Sequence, residues 1–449
     1  MKNLLYSLSV WLLSVFAAIP SSAATIEFWT SETQSDRLKT IQLLMDAFCA
    51  INPDINVRLM PVDENDMASQ MAAASAAGNM PGLIEASSEL IMAFGGEGII
   101  DVENTTEIVN GIGKDRFYRG ALKMVETPAA GRYYGLPYHG WVQGIWYRED
   151  WFRKEGLEPP DTWENILKAA RVFYKPEQNQ YGILIGTNAD VYSEQCFTHL
   201  ALSNGANEFN SKGELIFNSR ETMETLKYYR ELSRYTPPGP QTWRARDYYL
   251  QGRMAMFFYS TYIMDDLAMA EAAADSLTDK YFSGLKGSSF DPNLVDKTGV
   301  ITSITGTLPA TYGSIVALGI IKQGSAKHKE AIKKLVDFMY EPACYITFLH
   351  MSPGGMIPVL RDISGMKEYI NDPEGILKRY GRSKVEGIIK GLDSIGSFAM
   401  LEGNTFPAAG DIYAKQIIPR MIYSVVIEGR APEDAIARAE EQMKEVINR

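Results

Sequence analysis

Cysteine is scarce in this sequence, with three residues among 449, at positions Cys49, Cys196 and Cys344. Three thiols cannot all pair with one another, and none of them stands in a CxxC arrangement. This pattern excludes a disulfide-rich scaffold and argues against a cysteine-based zinc or redox site. We therefore expect the three thiols to be free and buried.

Several catalytic and cofactor motifs are absent. The sequence contains no HExxH, no GxSxG and no P-loop, and residues 96–101 (GEGIID) lack the last glycine of a dinucleotide-binding fingerprint. Residues 63–66 (DEND) begin like a calcium-binding loop, but Ala68 occupies the place of the glycine that its sharp turn needs. We expect no metal, no cofactor and no enzymatic activity.

One apolar run, residues 4–19, follows Lys2 and is itself followed by Pro20 and by small residues up to Ala24. This order is typical of a secretory signal peptide, and the run is short for a transmembrane helix. No cysteine stands directly after this apolar run, so a lipid anchor is not expected. We predict that residues 1–24 are removed and that the mature protein, starting near Thr25, is periplasmic.

The formal net charge is −11, which argues against nucleic acid or an anionic membrane surface as a partner. A chain of 449 residues is also longer than one hydrophobic core usually grows. Two lobes are therefore the expected organisation.

Hydrophobic periodicity indicates an α/β fold. Residues 26–29 form a short β-like run, residues 38–48 repeat apolar side chains at helical spacing, and residues 55–60 form a second strand. A helix over residues 66–77 should end at Gly78, and a third strand should follow over residues 83–86. An open α/β sheet is therefore the predicted fold class.

Further along, residues 133–141 combine aromatics, glycines and proline, which predicts a crossover between the lobes. Asp161 and Glu164 are spaced as in a capping box and should begin a second α/β unit. Near the end of the chain we predict a strand over residues 314–321 and helices over residues 326–340 and 432–447.

The order of these segments resembles the family of extracellular solute-binding proteins that includes maltose-binding and other sugar-binding proteins, and the resemblance spans essentially the whole mature chain. The residues that carry it are 26–29 (IEFW), 48–53 (FCAINP), 76–81 (AAGNMP), 135–137 (GLP), 146–152 (WYREDWF), 156–163 (GLEPPDTW) and 251–256 (QGRMAM). Two departures are Gly82, where the family commonly has Asp, and Arg148, where it commonly has Asn. Gly82 removes a carboxylate near the expected cleft.

The resemblance implies a type II periplasmic-binding-protein fold. It consists of two α/β lobes, each an open, mainly parallel sheet flanked by helices, joined by hinge strands with the ligand between them. We expect lobe 1 to contain residues 25–137 and 300–344, and lobe 2 residues 138–299 and 345–449. The implied function is capture of a carbohydrate by a monomer, which delivers it to the membrane permease of an ABC importer.

Ligands of open α/β sheets bind at the carboxyl ends of strands, so residues that follow the predicted strands are the candidates. Sugars combine an apolar ring face with a polar rim, which favours flat aromatics beside fixed polar groups. The candidate ligand-binding residues are Trp29, Ser31, Glu32, Ser87, Tyr138, His139, Trp141, Trp243, Arg244, Tyr259, Ser260, Tyr262, Gly313 and Ser314.

Each candidate has a structural alternative. The tryptophans and tyrosines could pack in the core, and His139 could make a structural hydrogen bond. Arg244 could be a surface charge, and Glu32 could cap the helix that follows it.

Other functions stay open at this point. A glycoside-acting enzyme would need a pair of carboxylates at a fixed separation, and the 55 Asp and Glu residues offer many candidates for such a pair. A binding protein of the same fold could take ferric iron through tyrosine pairs, at 133–134, 228–229 or 248–249, or a polyamine through a carboxylate set begun by Glu32 and Glu85.

Overall fold

The structure is a computed structural model that describes residues 24–322, 325–401 and 404–448. The predicted signal peptide therefore lies outside the described residues, except for Ala24. The strands β1 to β13 are, in chain order, Ala24–Thr30, Ile55–Pro61, Leu83–Ser87, Leu136–Arg148, Tyr181–Leu184, Met254–Ser260, Thr298–Ile301, Ser303–Thr305, Pro309–Ile320, Ile357–Pro358, Ile395–Gly396, Met400–Leu401 and Asn404–Thr405.

Helices lie between and after these strands. The first eleven, α1 to α11, are Ser35–Ile51, Glu64–Ala77, Ser88–Gly96, Val102–Ile112, Arg119–Lys123, Glu149–Glu155, Trp163–Phe173, Val191–Ser203, Arg220–Ser233, Asp247–Leu250 and Ile263–Ala268. The remaining ones, α12 to α22, are Ala270–Ala273, Leu294–Lys297, Ala326–Met339, Pro342–Leu349, Arg361–Ser364, Lys367–Ile370, Ile376–Tyr380, Arg382–Lys390, Ala408–Ala414, Ile417–Val426 and Pro432–Ile447.

The N-terminal βαβαβ unit follows the hydrophobic pattern. Ile41, Leu44, Met45 and Phe48 form the buried stripe of α1, which packs against β2. Gly78 ends α2 in the left-handed conformation, with φ of 67°, and its N–H donates to the carbonyl of Ser75. The predicted strands, the helix over residues 66–77 and its glycine cap are confirmed here.

The main sheet has the order β2-β1-β3-β9-β4-β6-β5. The strands at its two ends pair in parallel: β2 with β1 and β1 with β3 at one end, and β6 with β5 at the other. The central pairs, β3-β9, β9-β4 and β4-β6, are antiparallel. Because strands of a parallel pair end at the same edge, each end of this sheet presents its carboxyl termini, and the helices that follow them, on one side.

The long strands β4 and β9 connect the two parallel ends of the sheet. Residues 136–142 of β4 pair with β9, whereas residues 143–147 pair with β6 and residues 145–148 pair with β7. The change of partner falls after residue 142, directly after the predicted crossover over residues 133–141. The lobe boundaries themselves stay a prediction, although Tyr345 of α15 donates a hydrogen bond to the carbonyl of Tyr138 and thereby ties residues beyond 344 to β4.

The start of α7 differs from the predicted capping box by one residue. Thr162 is the N-cap, and its hydroxyl accepts from the N–H of Asn165 at 3.2 Å. Asp161 instead accepts from the side chain of Asn165 at 3.0 Å. The hydroxyl caps the helix because Thr162 is the last extended residue, and the carboxylate one position earlier reaches only the side chain.

Within the described part of the chain, no helix combines the length and apolar composition that crossing a membrane requires.

A close helix contact joins α20, in the C-terminal part of the chain, to α3. In α20, a Cβ at Gly410 would lie 2.2 Å from the carbonyl oxygen of Glu89 in α3. Glycine at this position therefore sets how near α20 can approach α3.

We predict that Gly410→Ala lowers the free energy of unfolding by about 1–3 kcal/mol, because the added methyl forces the two helices apart. The matched control is Gly387→Ala in α19, where a Cβ meets nothing within 4 Å and should be neutral or stabilising by up to about 1 kcal/mol. Denaturant unfolding of both variants measures this difference. Equal stabilities of the two variants would contradict the contact.

Candidate functional site

Three glutamates follow the carboxyl ends of the parallel strands β1, β2 and β3. Glu32 comes two residues after β1, Glu64 opens α2 after β2, and Glu89 lies in the first turn of α3 after β3. Glu32 and Glu89 are buried, and Glu64 is half-buried. The topology therefore places three carboxyl groups along one edge of the sheet.

The other parallel pair contributes carboxyl groups from the opposite side. The helix α8 follows β5, and its first turns carry the buried Glu194 and Thr198. Glu208 follows in the loop after α8 and is 1 % exposed. Asp190 caps α8 by accepting from the N–H of Ser193 at 3.2 Å, which fixes where the helix begins and so where Glu194 points.

These groups meet in one small cavity, which we call the carboxylate pocket. Its lining includes Glu89, Glu194, Thr198, Glu208, Tyr312 and Tyr413. Tyr312 comes from β9, Tyr413 from α20 and Ser397 from the loop between β11 and β12, so the pocket collects residues from six separate segments of the chain. Its volume is about 20 Å³, which is room for about one water molecule.

The carboxyl oxygens in the pocket differ in their partners. Glu89 Oε2 accepts from the hydroxyls of Ser88 and Ser314, both at 3.0 Å. By contrast, Oε2 of Glu194 and Oε2 of Glu208 are buried and have no hydrogen-bond partner among the described residues. Unpaired buried oxygens are costly, so these two atoms mark a place where hydrogen-bond donors are needed.

Burial changes the acidity of these groups. Desolvation raises the pKa of Glu208 and of Glu194 well above the usual range, and the nearby Glu208 and Glu89 add to the effect on Glu194. Burial also raises the pKa of Glu89, against the hydrogen bonds it accepts, and raises the pKa of Glu64 to about 7. A group that donates hydrogen bonds or carries positive charge would favour the ionised forms of all four.

Aromatic rings form the other walls of the site. The rings of Trp141 and Tyr312 meet edge to face with centroids 5.7 Å apart, and both are buried. The hydroxyl of Tyr413 donates to Glu64 Oε1 at 3.3 Å, which links the pocket to the start of α2 at the carboxyl end of β2. Gly313 permits the close approach of β9 to Trp141 in β4, since a Cβ there would lie 2.4 Å from the carbonyl oxygen of Trp141.

A second polar network lies beside the pocket. Arg37 pairs with Glu32 at 2.7 Å and lies over the ring of Tyr262, 5.2 Å from its centroid. Glu85 accepts a hydrogen bond from Thr30, and its Oε1 lies 3.1 Å from Nε2 of His139. Burial raises the pKa of Glu32, although Arg37 opposes the shift.

The ligand atoms of Glu32, Glu85 and His139 lie within 4.8 Å of one another, as in a metal site. Arg37 already supplies a positive charge to Glu32 at 2.7 Å, and Thr30 donates to Glu85. Both glutamates therefore have donors within the protein, whereas Nδ1 of the buried His139 has no partner among the described residues. Because both carboxylates are already paired, these three residues do not argue for a cation.

Several predicted residues lie at or next to the pocket. Ser314 bonds Glu89 within it, and Trp141 and Gly313 pack beside Tyr312. Glu32 and Tyr262 are joined through Arg37 in the neighbouring network.

Two further predicted residues, Ser31 and Ser87, lie at the ends of strands. Ser31 is half-buried and donates its N–H to the carbonyl of Glu85 at 3.2 Å. Ser87 is buried, and its hydroxyl has no partner among the described residues.

Two aromatic candidates belong to the core instead. Tyr138 is fully buried among Tyr340, Tyr345 and Phe348, and its hydroxyl donates to the carbonyl of Met339 at 3.2 Å. Trp29 is buried in β1 and donates to Glu27 at 2.7 Å. Neither ring is available to a ligand, so the structure favours the packing interpretation of both residues. His139 is buried beside Tyr138 as well.

The remaining candidates form a separate cluster around Arg246. Trp243 is 46 % exposed and lies over Arg246, whose guanidinium donates to the hydroxyl of Tyr259 at 2.8 Å. Arg244 pairs with Asp247 at 3.1 Å and with Asp275 at 2.8 Å. Ser260 is half-buried in β6 opposite Gln143.

A larger cavity, of about 800 Å³, lies on the other side of the segment 394–401. Three of its basic side chains already have partners, since Arg361 pairs with Asp393, Lys123 pairs with Glu126, and Lys114 lies over the ring of Tyr133. Asp115, which also lines this cavity, is exposed. We favour the smaller carboxylate pocket as the functional site because it contains unpaired buried oxygens and lies at the carboxyl ends of strands.

Comparison with known proteins now identifies the architecture. Residues 32–343 match the family described as bacterial extracellular solute-binding protein. The chain belongs to this family. Its members are the binding components of ABC transporters, which bind small ligands and deliver them to permeases.

A curated relative supports the assignment over nearly the whole length. The chain is 28 % identical over 424 residues to the putative ABC transporter periplasmic-binding protein YcjN of Escherichia coli K12, covering 94 % of this chain and 93 % of that protein.

Solved structures show the same fold. A solute-binding protein from Agrobacterium radiobacter K84, in complex with ribitol, matches with a TM-score of 0.73 at 19 % identity, covering 95 % of this chain and 100 % of that one. Maltose-bound MalE3 of T. maritima matches with a TM-score of 0.71 at 17 % identity, covering 94 % and 99 %. The predicted type II periplasmic-binding-protein fold is therefore confirmed.

Sequence reasoning missed most of the glutamates at the candidate site of this solute-binding protein. Glu64 and Glu89 follow predicted strands, and the rule that identified Glu32 and Ser87 could have found them a few residues further on. Glu194 and Glu208 follow β5, which was not predicted. Tyr413 lies in α20, which begins more than 300 residues after the end of β3.

The raised carboxyl pKa values predict a pH-dependent difference in stability. A glutamate whose pKa is higher in the folded protein contributes stability below its ordinary value of 4.5, and loses it as pH rises toward the folded value. Glu194→Gln and Glu208→Gln should therefore gain stability relative to wild type between pH 5 and pH 8, by about 1 kcal/mol or more.

Denaturant unfolding of the unliganded protein across this range measures the difference. Burial lowers the pKa of His199 to about 4, so its contribution to stability changes with pH in the opposite direction. This contribution is the same in every variant. The exposed Glu445→Gln should stay parallel to wild type. If the stabilities of Glu194→Gln and Glu208→Gln also run parallel to wild type across this pH range, the raised pKa values of these two carboxyl groups are contradicted.

Proposed function

We propose that this protein binds a polyhydroxylated solute, a sugar or polyol, in the carboxylate pocket between two closing lobes, and delivers it to an ABC importer. The observation that carries the proposal is the convergence of Glu89, Glu194 and Glu208 with the rings of Tyr312 and Tyr413 on one cavity. Carboxylates accept hydroxyl hydrogens strongly, and aromatic rings pack against the apolar face of a sugar.

The similar proteins point to the same class of ligand. One of them is bound to ribitol and another to maltose. Both ligands are rich in hydroxyl groups and carry no charge, which agrees with a pocket of hydrogen-bond acceptors and aromatic walls.

Binding of such a ligand requires the lobes to separate. A cavity of about 20 Å³ is far below the ~300 Å³ or more that small-molecule sites usually occupy. Glu89 follows β3 at one end of the sheet and Glu194 follows β5 at the other, so movement of the lobes about β4 and β9 would widen the gap between them. The ligand then favours closure by contacting both sides.

The finer parts of the proposal concern the location and assembly of the protein. We propose that residues 1–24 direct export and are removed without lipid attachment, and that the mature monomer works in the periplasm with the permease subunits. The lobes would comprise residues 25–137 with 300–344, and 138–299 with 345–449.

The alternatives receive less support from the geometry. Tyr228 donates to the carbonyl of Trp163 at 2.7 Å and Tyr229 to that of Gly186 at 2.5 Å, so both pack structurally. Tyr249 is fully buried and bonds Thr298 at 2.8 Å. These tyrosines do not converge on a site for ferric iron. Binding without chemical turnover also agrees with the family, whose members are binding proteins.

We predict that sugars or polyols raise the melting temperature of the mature protein, and that Tyr312→Ala or Glu89→Gln weakens their binding by about tenfold or more. A thermal-shift screen with maltose, ribitol and mannitol, alongside polyamines and ferric salts, identifies a ligand. Isothermal titration calorimetry then measures the affinity of each variant.

Asp115→Asn is the matched control, because this exposed carboxylate lines the larger cavity and should leave the affinity unchanged. A shift with polyamines or iron alone would contradict a polyhydroxylated ligand. Loss of binding in Asp115→Asn, with Glu89→Gln unaffected, would place the site in the larger cavity.

A further inference from the structure

We propose that the solute carries a protonated amine in addition to its hydroxyl groups, and that this ammonium group binds between Glu89, Glu194 and Glu208. The inference rests on the proposed function, since it specifies the chemistry of the ligand in the same pocket. The expected class is an amino sugar or an amino polyol.

The first argument is the balance of charge. Glu89, Glu194 and Glu208 line one cavity and Glu64 is joined to it through Tyr413, which places up to four negative charges together. None of these four forms an ion pair with a Lys or Arg of the described residues. The adjacent cation, Arg37, is committed to Glu32 at 2.7 Å.

The surrounding elements do not supply a positive charge either. The other groups that line the pocket are neutral: Thr198 of α8, Tyr312 of β9, Ser397, and Tyr413 of α20. The histidine on α8, His199, is neutral because burial lowers its pKa to about 4, although the hydrogen bond that its Nε2 donates to the carbonyl of Ala310 opposes the shift. Buried carboxylates normally have a cationic partner, and a bound cation would provide one.

The second argument is the number of hydrogen-bond donors that the pocket lacks. Oε2 of Glu194 and Oε2 of Glu208 are unpaired, and these side chains are 5 % and 1 % exposed. A hydroxyl group donates one hydrogen and no charge, whereas an ammonium group donates three hydrogens and one positive charge. An amine therefore matches three converging carboxyl groups better than a hydroxyl in the same position.

Matched pairs of ligands test the proposal: glucosamine against glucose, galactosamine against galactose, and glucamine against sorbitol. Isothermal titration calorimetry at pH 7 should show the amino member of at least one pair binding about tenfold more tightly or better. Glu194→Gln and Glu208→Gln should reduce this preference for the amine, while the exposed Glu445→Gln keeps it.

If no amino member binds more tightly than its neutral partner, the inference is overturned. Binding of the neutral members would then leave the proposed function standing, whereas failure of every sugar and polyol would count against both. Loss of affinity for amino and neutral members alike in the glutamine variants, with melting temperatures unchanged, would also overturn the assignment of the ammonium group to these carboxylates.

Discussion

The pairing of β4 with β9 is the interaction on which the rest of the molecule depends. Both strands are long, and they pair over residues 136–142 of β4 before β4 continues to β6 and β7. Because they lie between two groups of parallel strands, residues that follow the carboxyl ends of β3 and β5 contribute to one pocket. The site therefore arises from the order of strands in the sheet, and no single motif in the chain contains it.

Burial of carboxyl groups links this architecture to function. The carboxyl groups of the pocket are desolvated without a cation, which raises their pKa values and reduces the stability of the unliganded protein at neutral pH. A ligand that donates hydrogen bonds to Glu89 and to Glu194 relieves this cost for groups that follow strands at both ends of the sheet. The same carboxyl groups thus select ligands that donate hydrogen bonds, and their contacts with the ligand favour closure of the two proposed lobes.

Local patterns predicted the fold well. The apolar spacing of α1, the glycine after α2 and the order of strands β1 to β3 were all readable, since each depends on neighbours in sequence. The site was harder to predict, because the carboxylates that meet in it come from α3, α8 and the loop after α8, together with an aromatic from α20. Tyr138 shows the limit most clearly, because its position in the predicted crossover suggested the cleft, yet Tyr340, Tyr345 and Phe348 enclose it.

A crystal structure of the mature protein with its bound solute tests the central claim most directly. The account predicts that carboxyl oxygens of Glu89, Glu194 and Glu208 all lie within hydrogen-bond distance of one ligand, with the ring of Tyr312 against it. A ligand bound instead among Lys114, Arg119 and Arg361 in the larger cavity, with the carboxylate pocket unchanged, would contradict it.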